Sequence, residues 1–108
     1  MTSLENSKFV KVASVDQVPE GKVFGVTVGE KRLVLCRFGG EFHALDGVCS
    51  HAKGPLHRGQ LDGQYLICPW HGWEYDVVTG ICELEPTLRQ EKYPLRIEGD
   101  DIWVQVSS

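Results

Sequence analysis

Two short motifs, Cys49-Ser50-His51 and Cys68-Pro69-Trp70-His71, constrain this chain more than any other feature of its sequence. Each motif supplies one thiolate and one imidazole, and sixteen residues separate His51 from Cys68. That spacing is too long for a single loop and long enough for two loops with a pair of strands between them. Two Cys and two His divided in this way predict a metal site.

The residue types alone leave two kinds of metal open. Zinc accepts two thiolates and two imidazoles in a tetrahedral site. Zinc fingers, however, usually pair Cys with Cys and His with His, whereas each loop here contributes one of each. This division suits a binuclear iron–sulfur site, in which Cys49 and Cys68 bind one iron and two sulfides bridge it to a second. The second iron would take His51 and His71.

Length and composition predict one globular domain over residues 1–108. Hydrophobic residues make up 42% of the chain and charged residues 24%, which is typical of folded domains. Twelve Gly and five Pro indicate many turns, hence short strands rather than long helices. The formal net charge of -4 argues against nucleic acid as a partner, because phosphates require a basic surface.

The sequence also predicts no membrane association. Residues 1–7 are polar and lack the apolar core of a signal peptide. No run approaches the roughly 18 apolar residues of a membrane span. We therefore expect a cytoplasmic protein, and in a reducing cytoplasm the motif cysteines bind metal more readily than they form disulfides.

Runs of β-branched and aromatic residues between Gly-containing turns predict an all-β fold. Residues 14–21 read as a turn region with one short helical turn, and residues 83–91 as a loop. An antiparallel meander is expected before the first motif, with strands around the second motif and a closing hairpin after it. The predicted strands are residues 9–12, 23–28, 32–38, 41–46, 65–67, 73–76, 93–98 and 101–106.

The two motifs and their flanks resemble the cluster-binding boxes of Rieske proteins. The first box reads Cys-Ser-His-Ala-Lys-Gly-Pro-Leu and the second Cys-Pro-Trp-His-Gly-Trp-Glu-Tyr-Asp, followed by Val-Val-Thr-Gly. The chain is most similar to the small bacterial Rieske-type ferredoxins of aromatic ring-hydroxylating dioxygenase systems. The resemblance implies an antiparallel β-sandwich or barrel-like base with a cluster-binding subdomain at about residues 47–77. It also implies one [2Fe-2S] cluster, held by Cys49, His51, Cys68 and His71.

The family likeness further implies an electron carrier without catalytic activity, acting in aromatic hydrocarbon catabolism. Such a ferredoxin takes one electron from an NADH-dependent flavoprotein reductase and passes it to the Rieske centre of a terminal oxygenase. The chain itself is too short for an oxygenase, which needs a further iron held by two His and a carboxylate. Only His43 and His57 remain beyond the motifs. A monomer is expected.

Two alternatives remain open at this point. The first is a component similar to the small subunit of nitrite reductase, which also resembles this fold. Many such subunits lack the cluster ligands, whereas all four are present here. The second is a zinc-stabilised interaction module with no redox role.

The likeness also bears on the reduction potential. Two thiolates and two neutral imidazoles leave an oxidised cluster formally neutral, and Rieske centres span roughly -150 to +300 mV. Respiratory members carry a disulfide at the positions of Gly54 and Trp70 and a Ser at the position of Trp73. Tyr75 keeps the position of their other hydroxyl donor. Because a lost donor destabilises the reduced cluster, we expect a potential in the low part of the range.

Several residues near the boxes are candidates for shaping the site. Trp70 and Trp73 flank His71 and would cover the cluster or provide a contact patch, although packing is the favoured role of Trp73. Gly54 and Gly72 would let the backbone approach closely, with N–H groups directed at sulfur. Pro86 would belong to a third loop that shields the cluster.

The remaining Cys and His residues are not expected to bind metal. Cys36 lies in an apolar strand and Cys82 follows a turn, so both are predicted to be buried free thiols. His43 lies in a predicted strand as a surface or packing residue. His57 follows the first box, where packing is favoured over a role in docking.

Overall fold

Ten short strands form almost all of the regular structure in the computed structural model, which describes residues 9–48, 54–70 and 72–106. Two single turns of 3₁₀ helix, Val15–Gln17 and Leu56–Arg58, are the helical elements of this described part. The strands are β1 Phe9–Ser14, β2 Val23–Val28, β3 Lys31–Phe38, β4 Glu41–Asp46, β5 Gln60–Asp62, β6 Tyr65–Ile67, β7 Glu74–Asp76, β8 Lys92–Tyr93, β9 Leu95–Glu98 and β10 Asp101–Gln105.

The strands pair into three antiparallel sheets. One sheet has the order β2-β3-β4-β8, a second the order β1-β10-β9, and a third the order β5-β6-β7. The turn between β3 and β4 contains Gly39 and Gly40, both with positive φ, which is a conformation that glycine adopts without a steric penalty. The expected all-β fold is confirmed.

The four-stranded sheet is buried on both faces at its centre, because the middle residues of β3, Leu33 to Cys36, are apolar and fully covered. Successive residues of a strand point to opposite faces. Leu33 and Leu35 pack with Ile102 of β10 in one core. Val34 and Cys36 pack in a second core with residues of the β5-β6-β7 region, among them Leu66, Cys68 and Tyr75. The start of the second motif, at Cys68, therefore packs against the face of this sheet that carries Val34 and Cys36.

The structure corrects the predicted pairing in two places. First, β1 is not part of the meander, since it pairs with β10 at the other end of the chain. Second, the predicted strand at residues 93–98 is divided at Pro94. Tyr93 pairs with Ala44 in the four-stranded sheet, whereas Leu95 pairs with Val104. Proline has no N–H for a strand ladder, so the chain changes sheets there.

A buried polar group lies where β4 meets β8. His43 is 9% exposed, and its Nδ1 lies 3.1 Å from Lys92 Nζ. Lys92 Nζ also donates to the carbonyl of Val78 at 2.9 Å. This bond joins the turn that follows β7 to β8 of the four-stranded sheet. Among the described residues, His43 Nε2 has no hydrogen-bond partner. His43 is thus a packing residue rather than a surface one.

Protonation is disfavoured in this group. Burial, with the adjacent Lys92 charge, lowers the pKa of His43 below its ordinary value of 6.5, against smaller raising contributions from Glu41 and Asp76. Burial likewise lowers the pKa of Lys92. Cys36 lies opposite His43 in the strand register, and burial raises the pKa of its thiol to about 12. All three groups therefore favour their neutral forms more than they would in water.

We expect the free energy of unfolding to decrease as the pH falls below 6.5, the ordinary pKa of His43. The unfolded chain binds the His43 proton first, so stability is retained above that pH and lost progressively towards the lower pKa of the folded state. Denaturant unfolding between pH 5 and 8 should show this slope, reduced in His43→Leu. The matched control is His57→Leu, which removes an exposed imidazole. Equal slopes in wild type and His43→Leu would contradict the assignment.

Candidate metal centre

The residues just before and just after 49–53 are bonded to each other. Val48 and Pro55 form an antiparallel bridge, and Leu56 N donates to the carbonyl of Gly47 at 3.0 Å. Gly47 N in turn donates to the carbonyl of Arg32 in β3 at 2.8 Å. Cys49 and His51 themselves lie outside the described residues, but both ends of their loop are fixed to the four-stranded sheet.

Gln90, which no sequence motif marks, binds the backbone carbonyls just before Cys49. The Gln90 side chain is 3% exposed, and its Nε2 donates to the carbonyl of Asp46 at 2.8 Å and to that of Val48. The Asp46 carboxylate accepts from Val48 N at 3.0 Å. Gln90 lies in the polar stretch predicted as loop, where no motif or periodicity marks it. Its role as a positioning residue follows only from these contacts.

The second motif begins directly after β6 and turns back on itself. Cys68 N donates to the carbonyl of Trp73 at 2.8 Å, a bond between the described residues on either side of His71. Gly72, which lies between them, has a φ of +71°, in the left-handed region that favours glycine. No described atom lies within 4 Å of a Cβ built at Gly72. The positive φ accounts for a glycine at this position, and the expected approach of its backbone to a cluster sulfur stays a prediction. His71 lies outside the described residues.

The two motifs meet at Gly54 and Cys68. Cys68 is fully buried, and a Cβ built on Gly54 would lie only 2.9 Å from its Sγ. The same Cβ would lie 3.0 Å from Cγ and 3.1 Å from Cδ2 of Trp70. The sulfur of the second motif therefore lies against the backbone of the first, three residues after His51. A thiolate in this cradle, with the Cys and His donors of the first loop, fits a metal site shared between the loops.

The aromatic candidates differ in their environment. Trp70 is 50% exposed, whereas Trp73 is partly buried and packs against the core that contains Cys68 and Tyr75. Tyr75 is fully buried in β7, opposite Leu66.

Pro86 is exposed and lies in the loop between Cys82 and Leu88. A hydrogen bond from Cys82 N to the Leu88 carbonyl, 3.0 Å long, closes this loop. A shielding role for Pro86 and a hydroxyl interaction of Tyr75 with a cluster stay predictions.

Both cysteines outside the motifs are buried free thiols, as predicted for Cys36 and Cys82. His57 is exposed, and its Cβ would lie 2.7 Å from a Cβ built at Gly25, so its side chain packs against that glycine. Within the described ranges, no group of three or more His, Cys, Asp or Glu side chains is placed to hold a metal ion. No helix there is long and apolar enough to cross a membrane.

This chain matches a known domain family and resembles individual ferredoxin components over most of its length. Residues 8–98 match the family of the Rieske [2Fe-2S] domain. The ferredoxin component of a naphthalene 1,2-dioxygenase system from Pseudomonas aeruginosa is 36% identical over 101 residues, covering 93% of this chain and 97% of that protein.

Solved structures agree with that match. The ferredoxin in a complex of reduced oxygenase and oxidized ferredoxin of carbazole 1,9a-dioxygenase superposes with a TM-score of 0.83 at 27% identity, covering 91% of this chain and 93% of that one. A putative NADH-dependent nitrite reductase small subunit from Mycobacterium tuberculosis superposes with a TM-score of 0.83 at 19% identity, covering 93% and 96% of the two chains, which shows a common fold alone. Of the two metals that the donor set left open, the family match supports iron. This chain belongs to the Rieske [2Fe-2S] domain family and has a Rieske-type [2Fe-2S] cluster as its cofactor.

Proposed function

We propose that this chain is the ferredoxin of a multicomponent dioxygenase system. It takes one electron from an NADH-dependent flavoprotein reductase and delivers it to the Rieske centre of a terminal ring-hydroxylating oxygenase. The observation that carries the proposal is the match to a naphthalene dioxygenase ferredoxin component over 93% of this chain and 97% of that protein. A match over nearly the whole relative favours the same role as a separate carrier. We place this role in the cytoplasm and expect a monomer.

We further propose Cys49, His51, Cys68 and His71 as the cluster ligands. When bound, the cluster supplies one reversible electron, and its His-ligated iron raises the potential relative to all-thiolate clusters. Cys68 supports this assignment because its sulfur is buried at the meeting point of the two loops. The cluster-binding subdomain would extend over about residues 47–77, a range that contains the β5-β6-β7 sheet.

The nitrite reductase alternative has less support. Its likeness at 19% identity concerns the fold, which many functions can share. No observation on the described residues favours it over the dioxygenase system. The substrate of the oxygenase is decided in the partner polypeptide, so this chain carries no information on it.

The ligand assignment predicts a sharp difference among the cysteines. Purified protein should be reddish-brown, contain about two irons and two sulfides per chain, and give an EPR signal only after reduction. Cys68→Ala should lose most of the iron because a thiolate ligand is missing. Cys36→Ala and Cys82→Ala are matched controls, since each removes a buried thiol outside the two motifs, and both should retain it. A Cys68→Ala protein with full iron content would contradict the assignment.

The second prediction concerns the reduction potential. Trp73 cannot donate a hydroxyl to a bridging sulfide, so the midpoint potential should lie below about +150 mV. Tyr75→Phe should lower it further if the phenol donates to the cluster, because that bond stabilises the more negative reduced state. Cyclic voltammetry of the wild type and of Tyr75→Phe measures both effects. Tyr65→Phe, which removes a hydroxyl from the neighbouring strand β6, is the control. A wild-type value above that limit would refute the first statement, and an unchanged potential in Tyr75→Phe the second.

The carrier role itself is tested by reconstitution with candidate NADH-dependent flavoprotein reductases and terminal ring-hydroxylating oxygenases. NADH oxidation coupled to hydroxylated product should require the ferredoxin and should stop with the Cys68→Ala protein. Rapid mixing of the reduced ferredoxin with oxidised oxygenase should show direct reoxidation. Product formation at an undiminished rate without the ferredoxin, or no reoxidation on mixing, would contradict the proposal.

A further inference from the structure

Trp70 lies across Gly54 although the two residues belong to different motifs. Its ring atoms Cγ and Cδ2 occupy positions 3.0 and 3.1 Å from where a Cβ of residue 54 would stand. The Sγ of Cys68 lies 2.9 Å from the same point. The space left by the missing side chain at Gly54 is therefore shared by the indole and the sulfur.

The two groups cannot both stay in place if residue 54 carries a side chain. Contacts of a Cβ below 3.0 Å essentially never occur in real proteins, so the sulfur or the ring would have to shift. The sulfur has little freedom, since Cys68 is fully buried and its N–H is bonded to the Trp73 carbonyl. Dense packing of this kind resists displacement, because interiors hold few voids.

The exposure of Trp70 shows which way the indole faces. It is 50% exposed, so about half of this large side chain is covered while the other half faces solvent. The ring therefore packs on Gly54 on the same side as the fully buried sulfur, while its remaining surface is open to solvent. Trp73, two residues after His71, packs inward against the core instead. The two tryptophans of the motif thus occupy different environments.

We propose that Trp70 is a positioning residue for the cluster: its indole packs on Gly54, holds the two ligand loops together and keeps water from the Cys68 thiolate. The inference rests on the proposed role of Cys68 as a ligand. The indole acts through that ligand. An outer contact that fixes a metal ligand commonly changes metal retention by about 10–100-fold.

Removing the indole should have two measurable consequences. Without it, the loops separate more easily and chelators reach the iron faster. Water also approaches the thiolate, and a more polar environment stabilises the reduced cluster, which has one more negative charge than the oxidised cluster. The midpoint potential of the variant should therefore shift upward.

The test compares Trp70→Ala and Trp70→Phe with Ile97→Ala, a matched control that removes another partly exposed apolar side chain, on β9 of a different sheet. Bleaching of the oxidised protein by a chelator such as EDTA should be about tenfold faster or more in Trp70→Ala. Trp70→Phe should lie nearer to wild type because a ring still covers Gly54. Ile97→Ala should match wild type in both bleaching rate and potential. Unchanged bleaching and potential in Trp70→Ala would overturn the proposal.

A second pair of variants tests the contact with Gly54. Gly54→Ala should lower the iron content because the new methyl group displaces the sulfur or the ring. Adding Trp70→Ala to Gly54→Ala should restore part of it, since this removes the two close contacts of the new methyl group with the ring and leaves only the one with the sulfur. Equal iron loss in Gly54→Ala and in the double variant would refute the claim that the indole and the methyl group compete for the same space. Circular dichroism checks that all variants fold.

The Cys68→Ala protein separates this proposal from the ligand assignment on which it rests. Retention of the cluster in Cys68→Ala would refute the ligand assignment whatever the tryptophan variants do. Loss of the cluster in Cys68→Ala, combined with wild-type behaviour of Trp70→Ala, would refute the positioning role alone.

Discussion

The contact between the Cys68 sulfur and the backbone of Gly54 is the constraint on which the site depends. A cluster bridging two loops requires the loops to approach within bonding distance of one cofactor. A side chain at residue 54 would hold them apart, because its Cβ would overlap the sulfur. The glycine thus lets the second motif lie directly on the first, and the indole of Trp70 covers the junction.

The rest of the fold holds this junction in place. The four-stranded sheet is buried on both faces and supplies the core under Cys68 and Tyr75. Backbone bonds from Gly47 and Leu56 fix the ends of the first loop to that sheet, and Gln90 binds the carbonyls just before it. Lys92 ties the turn after β7 to the base through the Val78 carbonyl. Hydrogen bonds and packing therefore act together to hold the described residues on either side of the predicted ligands.

Much of this architecture could be predicted from local sequence. Three strands, at residues 23–28, 41–46 and 65–67, have the predicted bounds, since β-branched runs and Gly turns act over short distances. The family likeness of the two boxes pointed to iron before any geometry was known. The buried, unpaired state of Cys36 and Cys82 was also predicted correctly. The assignments of Cys49, His51, Cys68 and His71 as cluster ligands stay predictions.

The sequence by itself determined the donor types, their division between two loops and the all-β character of the chain. Only the tertiary structure decided which distant segments pair: β1 with β10, Lys92 with His43, and Gln90 with the carbonyls before Cys49. It also decided that Pro94 separates two sheets and that the tryptophans at 70 and 73 face opposite environments. The physical reason is that composition and periodicity describe neighbours along the chain, whereas these contacts join residues that become neighbours only when the three sheets pack.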